Sequence, residues 1–398
     1  MTVTFLGTSS GGGPSDSRNC SSLVADVQAD GSLWMVDCAE GTLRQFALQP
    51  YGTHRLKVSR LSKIFVTHMH VDHTMGLVPL LRNALGMPQE SDTAKPPRVE
   101  IYGPAGIRTF IRSILKMTHT RTADRYVVHE LLSANDEVTP CTPPEVMHSS
   151  ECQGKDIWAR EEDGFWRNFV SKGNVAVDAG PILHRAPCLG YVIRESPPLS
   201  RKIVVLGDTN DPTPILPLCL SPSLLIHEST DACIPHSIDP NSSAKRTTET
   251  VEAKVRERGH STPGMAGSFA KLVGAQQLVL NHIGSRFPAP LYSIPRRVRD
   301  TRVAVMKEVE RQASEEWGMG EAQAAVDFMR VEVHAVREAA PGFDGGLEEE
   351  AMKVERGVGE ADETRGNNGR GRGGNAGHRG RNPPTDQNTM QQPEREDT

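Results

Sequence analysis

The chain predicts an α/β fold in which sheets are covered on both faces and helices pack outside them. Three observations carry this. Several candidate strands are apolar throughout, as in IFV (64–66), IVVL (203–206), SLLI (223–226) and QLVL (277–280), which suits burial on both faces. The first strands look antiparallel, and the later ones alternate with helical stretches, the pattern of a layered sandwich. No stretch approaches the ~18–20 apolar residues that a membrane span needs.

The elements follow in order. Val3–Phe5, Leu23–Val27 and Leu33–Val36 are short runs rich in aliphatic and β-branched residues and read as strands. A helix is predicted over Gly41–Leu48, a strand over Ile64–Thr67 and a longer helix over His73–Leu85. Strands Val99–Tyr102 and Tyr126–Leu132 flank a helix at Ile107–Met117. Pro140–Gly173 has no clear strand register. It holds Trp158, Phe165, Trp166 and Phe169, with four Lys+Arg against six Asp+Glu. It is expected as a loop packing its aromatics on the domain, with a lid the alternative, and its charge suits a phosphate backbone poorly. Strands Val175–Val177, Leu189–Ile193, Ile203–Leu206, Leu224–Ile226 and Gln277–Leu280 follow, with helices over Ala244–Arg258, Gly264–Val273 and Pro295–Gln312.

Composition bounds the function. The 398 residues carry 45 Lys+Arg against 50 Asp+Glu, a net charge of −5, which excludes a wholesale basic nucleic-acid binder. The hydrophobic fraction of 37% is below the usual ~45–50%, so part of the chain does not build a core. That part begins at Pro341. Residues 341–398 contain 12 Gly and too few apolar side chains to offset chain entropy, and are expected to be a disordered tail. The tail holds 8 Lys+Arg and 12 Asp+Glu, which leaves 37 against 38 for residues 1–340, the expected folded domain. Within the tail, Leu347–Glu363 is acidic and Arg365–Arg381 interleaves Arg with Gly, either a solvated linker or an RNA-binding segment. The N-terminal MTVTFLGTSS lacks the charged and apolar regions of a secretory signal. The seven Cys (20, 38, 141, 152, 188, 219, 233) are scattered and never form C-x-x-C, which points to reduced thiols in cytosol or nucleus and away from a Cys-based zinc knuckle.

Thirteen of the 14 His precede residue 341. The densest group is Thr67-His68-Met69-His70-Val71-Asp72-His73, directly after an apolar strand and before a helix. His68 and His70 are two apart, so on extended backbone they face the same side. Asp72 and His73 then turn into the helix start. Imidazole and carboxylate together suit zinc, and the mixture suits two ions sharing one site. Three more ligand types follow apolar strands: His184, Asp208 in Gly207-Asp208-Thr209, and His282 after Asn281. A polar residue placed there costs free energy unless it is bonded or ligated.

These motifs resemble the metallo-β-lactamase superfamily, and within it the ribonuclease Z (tRNA 3′-endonuclease) family. Phe5-Leu6-Gly7-Thr8-Ser9-Ser10 resembles its opening strand and loop. Asp37-Cys38-Ala39-Glu40-Gly41-Thr42-Leu43-Arg44-Gln45 resembles its DCGEGTQRQ segment. His227-Glu228-Ser229-Thr230 resembles His-Glu-Ala-Thr, His260-Ser261-Thr262 resembles His-Ser-Thr, and His282-Ile283-Gly284-Ser285-Arg286-Phe287 resembles the closing motif. The likeness spans about residues 3–290. It implies an αβ/βα four-layer sandwich with two central mixed sheets, and a zinc-dependent phosphodiesterase that removes the 3′ trailer of precursor tRNA. It further implies that His68, His70 and His184 hold one zinc, that Asp72, His73 and His282 hold the other, and that Asp208 bridges them, with manganese the alternative metal.

Two ions ~3.5–4 Å apart clamp the attacking and leaving oxygens of a phosphodiester and acidify a bound water. By the same resemblance Asp72 orients that hydroxide or takes its proton, and His260, held protonated by Glu228, either stabilises the phosphorane-like charge or protonates the leaving oxygen. Asp37 and Glu40 are candidates to orient ligand imidazoles, with helix capping the alternative for both. Gly11–Gly13 reads either as a turn or as a backbone approach to phosphate. RNA is the implied partner, and a homodimer is common in the family, although no interface signature is legible.

The chain also departs from the family. Ala39, Leu43 and Phe287 replace a usual Gly, Gln and Tyr. Short ribonucleases Z carry a protruding tRNA-gripping arm between the positions of His184 and Asp208. Here 23 residues separate them, enough for a hairpin and its connections. The second hypothesis is therefore an arm-less enzyme of the same fold acting on small phosphodiesters or cyclic nucleotides. A third, a non-catalytic RNA-binding scaffold, is opposed by the complete ligand set.

Overall fold

The computed structural model describes residues 1–335 apart from 29, 53, 89–95 and 244. The tail expected over 341–398 lies outside the described residues.

The first half of the chain lays down β1 (Thr2–Gly7), β2 (Ser22–Asp26), β3 (Leu33–Val36), β4 (Leu61–Phe65), β5 (Pro97–Pro104), β6 (Arg125–Leu132), β7 (Glu151–Cys152) and β8 (Asp156–Trp158). These form one sheet, antiparallel from β1 to β3 and parallel from β3 onward. The second sheet contains β9 (Trp166–Lys172), β10 (Val175–Ile182), β11 (Cys188–Glu195), β12 (Lys202–Leu206), β13 (Leu224–Glu228), β14 (Leu278–Asn281) and β15 (Gln323–Ala324). It is antiparallel from β9 to β12 and parallel from β12 to β15. A last strand, β16 (Arg330–Glu332), returns to the first sheet beside β1.

The helices are α1 (Thr42–Leu48), α2 (Val71–Thr74), α3 (Leu77–Ala84), α4 (Ile107–Met117), α5 (Leu216–Cys219), α6 (Thr248–Glu257), α7 (Pro263–Val273) and α8 (Arg296–Trp317). Three apolar layers separate four structural ones. Between the sheets lie Val3, Phe5, Trp34, Phe65, Val177 and Tyr191. On the outer face of the first sheet, Leu77, Leu80 and Leu81 of α3 and Ile107 and Ile111 of α4 meet Ile64, Ile101 and Val128. On the outer face of the second, Phe269 and Val273 of α7 and Val305 and Val309 of α8 meet Val204, Leu225 and Leu280. This is the αβ/βα sandwich, and it explains the uniformly apolar strands.

Two expectations need correction, and two short strands went unpredicted. The helix expected over His73–Leu85 is broken into α2 and α3. At Gly76 a Cβ would lie 1.9 Å from the Ala39 carbonyl, and the Gly76 N–H donates to Cys38 O at 2.8 Å, so the chain bends here to meet the loop after β3. Pro140–Gly173 is not simply a loop. It contains β7, β8 and β9, and β9 pairs antiparallel with β10. Its irregular polar pattern reflects an edge strand, half exposed. Phe165 and Trp166 are buried as expected, while Trp158 is 49% exposed. The short strands β15 and β16 carry too few residues to signal themselves, and pairing with β14 and β1 creates them.

Gly267 sits where α7 crosses α8. A Cβ there would lie 2.2 Å from the Ala313 carbonyl, whereas at Gly264 of the same helix the nearest atom would be 3.6 Å away. Alanine is the better helix former by roughly 0.5–1 kcal/mol. Gly264→Ala is therefore expected to raise stability slightly, and Gly267→Ala to lower it by about 1–3 kcal/mol through overpacking. Urea unfolding of both variants checks the opposite signs.

Candidate metal centre

The parallel strands of both sheets deliver their C-terminal ends to one edge, where a bridge between Ser9 and Ile283 joins the loops. Ligand types therefore converge without any one element supplying them all. His68 and His70 follow β4, with Asp72 and His73 in α2. His184 follows β10, Asp208 follows β12, and His282 follows β14. Asp37 and His282 adopt left-handed backbone, φ 57° and 52°, uncommon for non-glycine residues.

Among the described residues the donor atoms form three overlapping groups, one of which joins Asp208 and His282 to His260, and the seven ligand-type residues fall in the other two. His68, His70, His184 and Asp208 offer atoms within 4.8 Å of one another, and so do Asp72, His73 and His282. In the first, His70 Nδ1 is 2.9 Å from His68 Nε2 and 3.3 Å from His184 Nε2. In the second, His73 Nε2 and His282 Nε2 are 3.2 Å apart, and Asp72 Oδ2 is 3.4 Å from His282 Nε2. Asp208 lies between them. Its Oδ2 is 3.6 Å from His68 Nε2, and its Oδ1 is 3.4 Å from both His73 and His282.

The outer nitrogens decide what the inner ones can do. The His73 Nδ1–H donates to Asp37 Oδ2 at 2.7 Å, and the His184 Nδ1–H donates to the Gly259 carbonyl at 2.6 Å. The Thr67 hydroxyl donates to Asp37 at 2.9 Å and so accepts from His68 Nδ1 at 3.0 Å. The Thr230 hydroxyl donates to Glu228 at 2.7 Å and so accepts from His282 Nδ1 at 3.1 Å. With the outer positions protonated, the inward nitrogens of the neutral rings present lone pairs to one another and to carboxylates. Such facing acceptors need cations between them, so the residues fit a metal site.

The electrostatics agree at His68 and differ at His73, whose inward nitrogen carries a proton when no metal is bound. Burial, with the neighbouring His73 charge, pushes His68 down to about 2, which keeps it a neutral donor. Burial also acts to lower His73, but the Asp208 and Asp37 carboxylates outweigh it and hold the bare imidazole protonated. A bound cation would displace that proton. Burial opposes ionisation of Asp208, yet the surrounding histidines keep it well below the usual carboxylate range.

Beside the donors stands a second pair. His260 Nδ1 donates to Glu228 Oε1 at 3.1 Å, and the same oxygen accepts the Thr209 N–H at 2.7 Å. Burial lowers the His260 imidazole, but the Glu228 bond and charge overcome this and raise it. Ser10, Gly11, Gly12, Arg185 and His260 line a cleft of about 360 Å³ over the donors. The Gly11 N–H is committed to Asp72 Oδ2 at 2.9 Å.

The β-lactamase superfamily domain matches residues 34–283. The zinc phosphodiesterase ELAC protein 1 of Homo sapiens is 30% identical over 390 residues, which span 84% of this chain and 98% of the relative. The chain belongs to this zinc phosphodiesterase and ribonuclease Z family. Ribonuclease Z of Streptococcus sanguinis is 30% identical over 333 residues, 78% of this chain and 99% of that enzyme. The crystal structure of human tRNase Z, short form, superposes with a TM-score of 0.58 at 31% identity, covering 84% of this chain and 99% of that one. A diphosphatase of the PhnP family shares the fold at TM-score 0.50 and 15% identity, covering 84% and 98%.

All seven ligand-type residues singled out in this family member's sequence meet at the centre, as do Glu228 and His260. Asp37 binds the histidines and does not cap α1, whose N-cap is Gly41. Glu40 is a correction. It is exposed, and its carboxylate bonds none of the donors among the described residues. The relays Thr67 and Thr230 and the Gly259 carbonyl escaped sequence reasoning. Threonine beside a ligand motif carries no signal of its own.

Asp37 supports both His73 and, through Thr67, His68. Asp37→Ala is expected to weaken metal affinity about 10–100-fold, the usual effect of losing such a partner. Chelator competition against the intact protein measures it, and affinity within twofold would show that Asp37 does not orient the ligands.

Proposed function

We propose that the protein is a zinc-dependent endoribonuclease that hydrolyses a phosphodiester to release the 3′ trailer of precursor tRNA. The observation that carries this is the arrangement around Asp208: two donor groups share one carboxylate, with the Glu228–His260 pair at the cleft beside them. Relatives named ribonuclease Z and a solved tRNase Z support the choice of RNA.

In this reading His68, His70 and His184 would hold one zinc ion and Asp72, His73 and His282 a second, with the Asp208 carboxylate within reach of both groups. Bound divalent ions supply charge stabilisation to phosphodiester oxygens and acidify water. The chain's own groups do the rest. Asp72, fixed by the Gly11 N–H, orients the attacking water and takes its proton at a carboxylate oxygen. His260 enters protonated, because Glu228 sustains its charge, and delivers the Nε2 proton to the leaving 3′-oxygen. The upstream RNA then ends in a 3′-hydroxyl and the trailer in a 5′-phosphate.

One observation favours the alternative of small phosphodiesters or cyclic nucleotides. Between His184 and Asp208 the chain forms only the hairpin of β11 and β12 with its connections, and no protruding arm.

The intact protein is expected to cleave a 3′-extended tRNA, and a chelator to abolish that activity. His260→Ala is expected to lower kcat about 10²–10⁴-fold, the usual contribution of a general acid. Rapid turnover of a chromogenic diester with no cleavage of the precursor would select the alternative.

A further inference from the structure

The segment after His282 builds a surface that the metal chemistry does not use. From Arg286 to Arg299 the chain carries four arginines and no acidic residue. Three of them, Arg296, Arg297 and Arg299, crowd the first turn of α8, which has no acidic residue there and no side-chain cap. Cations at a helix N-terminus oppose its dipole, so local helix stability does not account for them. Their side chains reach water. Arg296 is 87% exposed and, among the described residues, is paired with the exposed Asp300 alone, at 3.6 Å. The Arg297 side chain is exposed, and its guanidinium has no ion-pair partner among the described residues. Arg299 lies over the ring of Tyr292, 5.4 Å from its centroid, and Tyr292 is itself 89% exposed. Some other surface arginines are neutralised, as in Arg167–Asp163 and Arg311–Glu308, whereas Arg44, Arg121 and Arg258 are exposed without an ion-pair partner among the described residues.

The chain leading into this surface, residues 283–289, is fastened beside the metal cleft. The Ser10 N–H donates to Ile283 O at 3.0 Å, and Arg18 Nε donates to Phe287 O at 3.1 Å. The Ala289 N–H donates to Ser17 Oγ at 2.9 Å, and Arg302 joins Ala289 O to Asp16. The segment is thus fastened to the 10–18 loop, whose first residues line the cleft. Exposed cations, of which Arg297 and Arg299 have no carboxylate partner among the described residues, beside an exposed aromatic face suit a sugar–phosphate backbone and a stacked base better than an acidic peptide.

We propose that Tyr292, Arg296, Arg297 and Arg299 form an RNA-gripping surface beside the cleft. This rests on the proposed endoribonuclease reading. It supplies by a local patch the attraction that residues 1–340, with 37 basic and 38 acidic side chains, lack in bulk.

The test uses the intact, metal-loaded protein, a 3′-extended tRNA and bis(p-nitrophenyl) phosphate. The variants are Arg296→Gln/Arg297→Gln/Arg299→Gln and a control that removes three exposed cations elsewhere, Lys57→Gln/Arg60→Gln/Lys271→Gln. For the arginine triple, KM for the RNA is expected to rise about tenfold or more, with kcat and diester hydrolysis within twofold. The slope of log affinity against log salt should fall by about 0.9 for each phosphate no longer neutralised. The control should shift KM less than threefold. An unchanged KM, or an equal rise in the control, would overturn the proposal. Should the intact protein leave the precursor uncut, the functional reading fails by itself. RNA affinity in the same salt series, weakened tenfold by the arginine triple or unchanged, then supports or overturns the surface.

Discussion

Asp208 is 2% exposed, yet both of its oxygens face imidazole nitrogens from opposite groups at 3.4–3.6 Å. A carboxylate so buried is costly unless positive charge compensates it. Much of the architecture serves that compensation. The two sheets run their parallel strands toward a common edge, so β4, β10, β12 and β14 end within reach of one point. Two carboxylates behind the donors, Asp37 and Glu228, fix which nitrogens point inward. Asp37 works through His73 and Thr67, and Glu228 through Thr230, Thr209 and His260.

The same arrangement divides structural from chemical roles. Asp37 is buried under the centre and bonded on every side within the protein, whereas Asp72 and His260 border the open cleft. Glu228 spans both roles, because one oxygen steadies a ligand through Thr230 and the other sustains the charge of His260. A substitution at Glu228 therefore combines a metal effect with a proton-transfer effect, while Asp37 reports on the metal alone.

Much of this was legible in the sequence for a physical reason. Metal ligands need particular side chains, and strand ends confine them to short motifs, so His68 to His73 and the later His184, Asp208 and His282 stood out. The apolar strands marked two buried sheets because both faces of each are covered. What the sequence hid were features set by tertiary packing. The break at Gly76 depends on the approach of Ala39, and the edge strand β9 reads as polar loop because only part of it is buried. Thr67 and Thr230 act through hydroxyl direction, which no spacing encodes. Glu40 shared a motif with Asp37 but faces solvent, so adjacency misled.

The inward lone pairs and carboxylates of this cluster fit bound cations. Metal content by mass spectrometry, combined with thermal unfolding before and after chelation, tests that fit most directly. A ligand present at a thousandfold above its Kd stabilises by about 4 kcal/mol, which for a domain of this size corresponds to roughly 6 °C. Bound divalent metal is expected, with a fall in Tm of that order on its removal and recovery on adding zinc. Protein that binds no divalent metal and unfolds at one temperature with or without chelator would contradict that fit.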